Sequence, residues 1–307
     1  MKVSVIIINY NTFALTCSCI DSVLVHTKGV DYEVILVDNA SSECAPALFT
    51  QKFPSIQCIV NPENNGFAKG NNLGISLATG DIILLLNSDT YLTEDSISIT
   101  ANKFISDKQI GVACCRMVYP DGGLQYAARR FRSISWEMLD LFRFILKVLP
   151  YKKRAQLMLG KYFKNDFNTN CDWVSGAFFM FRKELLQQLP GHKLDERFFM
   201  YGEDHLWCWQ IQQLGYSNKF FSDTTIVHIN NGSTSIEKQL KLRQTMLAHE
   251  LLIMKERKGE GISYRLFALI YGAKENGRNA IKYFWMKMTG KMVNYFPINP
   301  FNASMRY

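Results

Sequence analysis

Residues 82–86 read Ile-Ile-Leu-Leu-Leu and stop abruptly at Asn87-Ser88-Asp89-Thr90. Five consecutive apolar positions fit a strand buried on both faces, as in a parallel sheet covered by helices. Residues 3–8 and 33–38 repeat that pattern, each closed by polar or acidic residues, and residues 56–60 read as a short strand. Between them, residues 12–26, 44–51 and 67–79 carry helix-compatible spacing, and another helix is expected over 93–105. Strands alternating with helices at this spacing predict βαβ units with right-handed crossovers. Later strands are expected over 110–118 and 219–227. Residues 124–170 read as an insertion, with one amphipathic helix over 134–149. A helix over 235–257 and a pair of basic amphipathic segments over 262–292 complete the chain.

Three predicted strand ends converge on one edge of the sheet. They carry Asn9-Tyr10, Asp38-Asn39 and Asn87-Ser88-Asp89. Ligands of open α/β sheets bind outside the carboxyl ends of the strands, so acids placed there are positioned for chemistry. The first strand is followed by neither G-x-G-x-x-G nor a P-loop, which argues against a dinucleotide fold or a P-loop nucleotide site. An edge of Asp and Asn without a glycine cradle suits a nucleotide whose diphosphate is neutralised by Mg²⁺ or Mn²⁺. Such ions are held by one or two carboxylates plus the phosphates. Helix capping by Asp38, Asp89 or Thr90 is the competing reading at this point.

The chain has 307 residues with a net charge of +8, 48% hydrophobic and 20% charged, the balance of an ordinary globular protein. The charge is lopsided. Residues 238–307 hold 13 Lys and Arg against 4 Asp and Glu, which leaves residues 1–237 at −1. A basic tail on a neutral body predicts an anionic partner surface, and solvated helix faces are the plainer alternative. The segment 134–149 is flanked by Arg129, Arg130, Arg132, Lys152, Lys153 and Arg154. A basic rim around Trp, Phe and Leu suits an interfacial helix, although a core-packing helix would read the same. Lys274, Arg278, Lys282, Lys287 and Lys291 repeat every four or five residues, each offering about 1 kcal/mol near anionic lipid. No apolar run approaches a membrane span, and the first residues read as a strand rather than a signal peptide. The eight cysteines show no zinc spacing and no disulfide density, as expected of reduced thiols in a cytosol. The glycosylation tripeptides at Asn39, Asn231 and Asn302 mean little without secretion.

Four motifs in order carry a resemblance: Val3-Ser-Val-Ile-Ile-Ile-Asn-Tyr-Asn, Glu33-Val-Ile-Leu-Val-Asp-Asn-Ala-Ser, Asn64-Asn-Gly-Phe-Ala-Lys-Gly-Asn-Asn and Leu86-Asn-Ser-Asp-Thr. Together they resemble the GT-A family 2 glycosyltransferases, in the branch that includes bacterial rhamnosyltransferases of cell-surface polysaccharide synthesis. The resemblance implies a GT-A, Rossmann-like α/β fold, with a mostly parallel central sheet flanked by helices. It places that domain at 1–235, with the insertion at 124–170 and a basic helical extension at 236–307. It implies donor-binding roles for Asn9, Tyr10, Asp38, Asn65, Lys69, Asn72, Ser88 and Asp89. Asp89 is the expected metal-binding carboxylate, because the first acid of the D-x-D-like motif is Asn87 here.

The second half extends the resemblance. Cys171-Asp-Trp-Val-Ser-Gly-Ala is similar to the family strand behind the acceptor site, which implies Trp173, Ser175 and Gly176 as acceptor contacts. A buried core tryptophan would look the same in sequence. In Gly202-Glu203-Asp204 the family places its general base, which implies Asp204 as base and Glu203 as its orienter or an acceptor contact. A sugar hydroxyl is a poor nucleophile, and its proton must leave as it attacks. A solvated helix start is the alternative for the acid pair. The resemblance implies that His228 joins the metal or the diphosphate, with a closing loop over 228–235, and a structural histidine is the alternative. Leu206 and Gln210 depart from the family's second Asp and Arg, which leaves the auxiliary polar contacts open.

The expected activity is inverting transfer of a sugar from a nucleoside-diphosphate donor, dTDP-rhamnose among the candidates, to a hydroxyl of a glycan or lipid-linked acceptor. Mn²⁺ or Mg²⁺ is the expected cofactor. The expected location is cytoplasmic, peripheral at the inner face of the membrane, with homo-oligomerisation open and no nucleic-acid partner. Two alternatives stand: a non-catalytic nucleotide-sugar binder, and a sugar nucleotidyltransferase, for which a Gly-rich basic loop after the first strand is lacking.

Overall fold

A computed structural model describes residues 1–230 and 236–288, without the side chains of 236–241 and 286. In chain order, β1 (Lys2–Asn9), α1 (Phe13–His26), β2 (Asp31–Asn39), α2 (Ala47–Lys52), β3 (Gln57–Asn61), α3 (Gly66–Leu77) and β4 (Ile82–Asn87) form the expected βαβ run. They are followed by β5 (Thr90–Leu92), α4 (Ser96–Ser106), β6 (Ile110–Val118), β7 (Leu124–Gln125), β8 (Ala128–Arg129), α5 (Ile134–Leu141) and α6 (Tyr151–Met158). The chain continues through β9 (Thr169–Cys171), β10 (Trp173–Val174), β11 (Phe178–Arg182), α7 (Glu203–Gln213), β12 (Ser217–His228), α8 (Ile236–Lys258) and α9 (Ile262–Met288).

The main sheet runs β3-β2-β1-β4-β11-β6-β12-β5, with β7 beside β6 and β9 beside β12. Pairs β1–β2, β1–β4, β2–β3 and β6–β12 are parallel, whereas β11 runs antiparallel between β4 and β6. The apolar blocks form its centre: Ile6, Ile7, Ile35, Leu36, Val37 and Ile83 to Leu85 are wholly buried. All eight cysteines are free, six of them buried, and burial pushes the Cys58 thiol up to about 11 and Cys19 to about 12.

Register sets the site. Asn9 lies opposite Asp38, and Ile8 opposite Asn87, so three strand ends meet at one edge. The short β5 turns back against β12 with Thr90 opposite His228, which brings the last strand to the same edge. The helix expected from residue 93 starts at Ser96, because Asp95 caps it by accepting from the Ser98 N–H at 3.2 Å. The strand that the resemblance implies from Cys171 onward is broken between Val174 and Phe178. There the Ser175 and Gly176 N–H groups leave the ladder and donate to Ala127 O and to the Asp204 carboxylate.

By packing, the chain divides into two compact units, Met1–Arg130 with Lys152–Asn230, and Phe131–Tyr151 with the residues after Asn230. The second unit has its own core of Leu247, Leu251, Met254, Phe267, Ala268 and Tyr271. It also holds a buried ion cluster. Lys274 Nζ reaches Glu137 Oε2 and Asp140 Oδ2, both at 2.5 Å, and Arg132 bonds Glu137 (2.7 Å) and Glu250 (3.3 Å). The helix expected over 134–149 ends at Leu141 and gives way to a 3₁₀ turn, Ile145–Val148. Leu149 must be extended before Pro150, so no helix can run through it. The two segments expected over 262–292 are one continuous helix across Gly272 and Gly277 as far as Met288. Residues 231–235, with the expected closing loop and the Asn231 tripeptide, and Lys291 and Asn302 lie outside the described residues. No described helix is long and apolar enough to cross a membrane.

Candidate active site

The first strand ends in a dense polar knot. Asn9 is wholly buried, and its Nδ2 donates to Asp38 Oδ2 (2.7 Å) and Ser41 Oγ (2.9 Å). Its Oδ1 accepts from Thr16 Oγ1 at 2.7 Å and Thr12 Oγ1 at 3.0 Å. Asp38 Oδ1 accepts from Ser41 N at 2.9 Å, so this buried carboxylate has a protein partner on each oxygen and orders the loop after β2. Thr12 Oγ1 lies 3.2 Å from Ser88 Oγ, which ties the ends of β1 and β4 together. Tyr10 is 48% exposed at the rim. Asn39, buried and bonded to Asn61 and Asn64, is no surface glycosylation acceptor.

Helix α3 enters the same edge. Gly66 sits at φ +86°, and a Cβ there would lie 2.3 Å from Phe199 O, the atom that accepts the Phe67 N–H. Only glycine fits that approach. Asn65 bonds Glu63, and Lys69 is exposed. Asn72 donates to Leu194 O and Glu196 Oε1 and accepts from Leu194 N, so it clamps the segment leading to α7.

That segment presents the two acids. Tyr201 and Gly202 both take positive φ, 72° and 98°, and this bend starts α7 directly at Glu203. Glu203 is 7% exposed, so the solvated helix start is not what forms. Asp204 Oδ2 accepts the Gly176 N–H at 3.0 Å and Oδ1 accepts the His205 N–H at 2.8 Å. Burial raises the Asp204 carboxyl above the ordinary carboxylate range, against those two N–H groups and the nearby Arg129 charge. Burial and then the Asp204 charge push Glu203 up as well, and its Oε2 has no hydrogen-bond partner among the described residues. Against its burial Glu203 has its own backbone N–H, whereas Asp204 has the Gly176 and His205 N–H groups, so Asp204 is the better held of the two as a carboxylate.

A third cluster completes the edge. His228 Nε2 lies 3.2 Å from Asp89 Oδ1, both side chains mostly buried, and Ile229 N donates to Asp89 O at 2.9 Å. Tyr201 links this pair to the acids, since burial, then the charges of Glu203 and Asp89, raise its hydroxyl. One carboxylate oxygen and one imidazole nitrogen at this spacing fit Mg²⁺ or Mn²⁺, which take few protein ligands and complete their shell with phosphate and water. Among the described residues no third His, Cys, Asp or Glu joins them.

Trp173 is half-buried, stacked on His205 at 5.2 Å, with the Arg129 guanidinium 4.8 Å over its ring. Ser175 and Gly176 lie on the break before β11, where Ala177 O accepts the Asn87 N–H at 3.1 Å. The expected site residues of β1, β4, β12 and α7 therefore converge, whereas Asn72 is spent on the chain itself. Leu206 is wholly buried core, and Gln210 donates to Asp195 Oδ2 at 3.0 Å, in place of the family's charged pattern.

Three contributors carried no signal of their own in the sequence. Tyr201 is one aromatic among several. Gln125 sits in what reads as an insertion. Arg129 was expected in a basic membrane rim, yet it lies over Trp173 near Asp204. Its companions are likewise engaged, Arg130 with Asp172 (3.0 Å) and Arg132 with Glu137 and Glu250.

Residues 4–189 match the sequence pattern of glycosyl transferase family 2. Chondroitin synthase of Pasteurella multocida is 33% identical over 129 residues, 40% of this chain and 13% of that protein. The O-antigen biosynthesis protein RfbC of Myxococcus xanthus is 22% identical over 238 residues, 76% of this chain and 18% of that protein. The chain thus spans less than a fifth of either relative's length. Among solved structures, the mannosyltransferase PcManGT of Pyrobaculum calidifontis, in complex with GDP-Man and Mn²⁺, superposes with a TM-score of 0.57 at 18% identity. It covers 85% of this chain and 66% of its own, and the shared fold is the GT-A architecture. With the pattern matched over more than half its length, this chain belongs to glycosyl transferase family 2.

Proposed function

We propose that the chain transfers a sugar from a nucleoside-diphosphate donor to a hydroxyl of a growing glycan or lipid-linked acceptor, with inversion, in surface polysaccharide synthesis. The carrying observation is the Asp204 carboxylate on the Gly176 amide, beside the ends of β1, β4 and β12. Of the two neighbouring acids Asp204 has the N–H donors that favour a carboxylate, so it takes the acceptor proton as that hydroxyl attacks the anomeric carbon. Glu203, protonated, keeps a second negative charge away from the base. Gly176 leaves room for the acceptor at the backbone, and Trp173 borders it. The knot of Asn9, Asp38 and Ser88 holds the strand ends where the nucleotide lies, with Tyr10, Asn65 and Lys69 at the rim. Asp89 and His228 would hold Mn²⁺ or Mg²⁺, whose positive charge stabilises the leaving diphosphate.

The branch resemblance favours dTDP-rhamnose, whereas the superposed mannosyltransferase carries GDP-Man. A thermal-shift screen of nucleotide-sugars with and without Mn²⁺ tests the donor. Transfer assays of Asp204→Ala test the mechanism: donor binding survives and transfer is lost, and unchanged turnover removes Asp204 from the role. Leu206 and Gln210 favour a second reading, a nucleotide-sugar binder without catalysis, for which donor hydrolysis with Mn²⁺ would be nil.

The second unit supports attachment to an anionic membrane surface on the cytoplasmic side. Its acids Glu137, Asp140 and Glu250 are consumed by internal ion pairs. Its surface shows Leu141, Phe144, Ile145, Val148, Ile281, Phe284 and Trp285, each more than half exposed, interspersed with Lys147, Lys282 and Lys287. Exposed apolar groups interspersed with lysines fit headgroups better than water.

A further inference from the structure

Gln125 on β7 is 8% exposed and makes a bond that the two metal ligands do not account for. Its Nε2 donates to the backbone carbonyl of His228 at 2.5 Å and reaches Val118 O at 3.5 Å. Its Oε1 then faces His228 Nδ1 at 2.7 Å. Turning the amide over would set its oxygen against two carbonyls, so the backbone fixes its orientation. The Gln125 backbone is itself held, because Asn165 Nδ2 donates to Gln125 O at 2.6 Å and Arg116 Nε donates to Asn165 O at 2.8 Å.

An amide oxygen only accepts, so Nδ1 of His228 is the nitrogen that carries a proton. Nε2 is then the nitrogen that faces Asp89 Oδ1, 3.2 Å away, and the one left to meet a cation there. Neighbouring ligand atoms about 2.1 Å from an octahedral ion are about 3 Å apart, close to the observed spacing. We propose that Gln125 is a positioning residue that locks His228 in the tautomer whose Nε2 ligates a divalent cation together with Asp89. This rests on the metal reading above and adds the residue that builds that site. Outer partners of ligating histidines act in this way in general, by fixing the ring and its tautomer.

The test uses the full chain, with Mn²⁺ alone as the probe and free Mn²⁺ read by electron paramagnetic resonance. Gln125→Met, which cannot accept from Nδ1, is expected to bind Mn²⁺ about 10- to 100-fold more weakly. Gln125→Glu, which can accept, is expected to recover most of that loss, whereas a purely structural role would leave both variants alike. A folded Gln125→Met with wild-type affinity overturns the inference alone. A wild-type protein that binds no Mn²⁺ overturns the metal reading and the inference with it. Should neither variant fold, ring ¹⁵N–¹H correlations of wild-type protein saturated with Mg²⁺ decide: a proton on Nδ1 supports the assignment, and one on Nε2 refutes it.

Discussion

Gly176 donates its backbone N–H to Asp204 Oδ2 at 3.0 Å, across the break that separates β10 from β11. The contact joins the proposed acceptor side to the proposed base. It also leaves the other oxygen of Asp204 on the His205 N–H, so the carboxylate is held by main chain at the start of α7. A base fixed this way keeps its orientation without a side-chain partner, and the helix N-terminus favours its charge.

Replacing Asp204 by Asn preserves shape and removes the proton acceptor. Transfer should fall by about 10²- to 10⁴-fold with donor affinity nearly unchanged. Steady-state kinetics with isothermal titration of the donor would check this, and a parallel loss of donor binding would point to a structural effect.

Glu203 carries a pH signature. Its folded value, about 8, lies above that of an unfolded glutamate, near 4.3. The native state therefore binds the extra proton, and this contribution is complete below the unfolded value and lost as pH rises through about 8. Glu203→Gln should flatten the decline in stability over that window, read from denaturant midpoints at several pH values. Equal slopes in both proteins would refute the assignment.

At Gly66 the chain tolerates no side chain. Gly66→Ala combines positive φ with a Cβ set against Phe199 O, and should cost at least about 1–3 kcal/mol in thermal or denaturant unfolding. Since Phe199 precedes the acids, activity should drop with stability.

In the second unit, Lys274→Met leaves Glu137 and Asp140 buried without the ammonium they share. A loss of up to about 3 kcal/mol is expected in unfolding experiments. The same variant at low pH should lose less, because its stranded acids can then be neutral.

Phe144→Ser with Val148→Ser removes two of the most exposed apolar groups near the 3₁₀ turn, 62% and 81% accessible. Flotation with phosphatidylcholine–phosphatidylglycerol vesicles should show reduced binding, and wild-type retention would argue against the lipid-facing role of this turn.

The βαβ order, the strand positions and the meeting of Asn9, Asp38 and Asn87 at one edge were legible in the sequence. Unbroken apolar blocks ended by polar residues leave few other arrangements, because burial on two faces and right-handed crossover are local consequences of pattern. Asp204 and His228 were legible only through motif order. What no local pattern carries is the antiparallel insertion of β11, the return of β5 that sets Thr90 opposite His228, and the bond from Gln125 to the same ring. Those depend on partners up to 138 positions apart, as Thr90 and His228 are, and such pairs are decided by which backbone groups remain to be satisfied once the sheet has closed. The fate of Arg129 to Arg132 belongs there too: their charge is plain in the sequence, but whether it faces lipid or a buried acid depends on what the folded chain sets beside it.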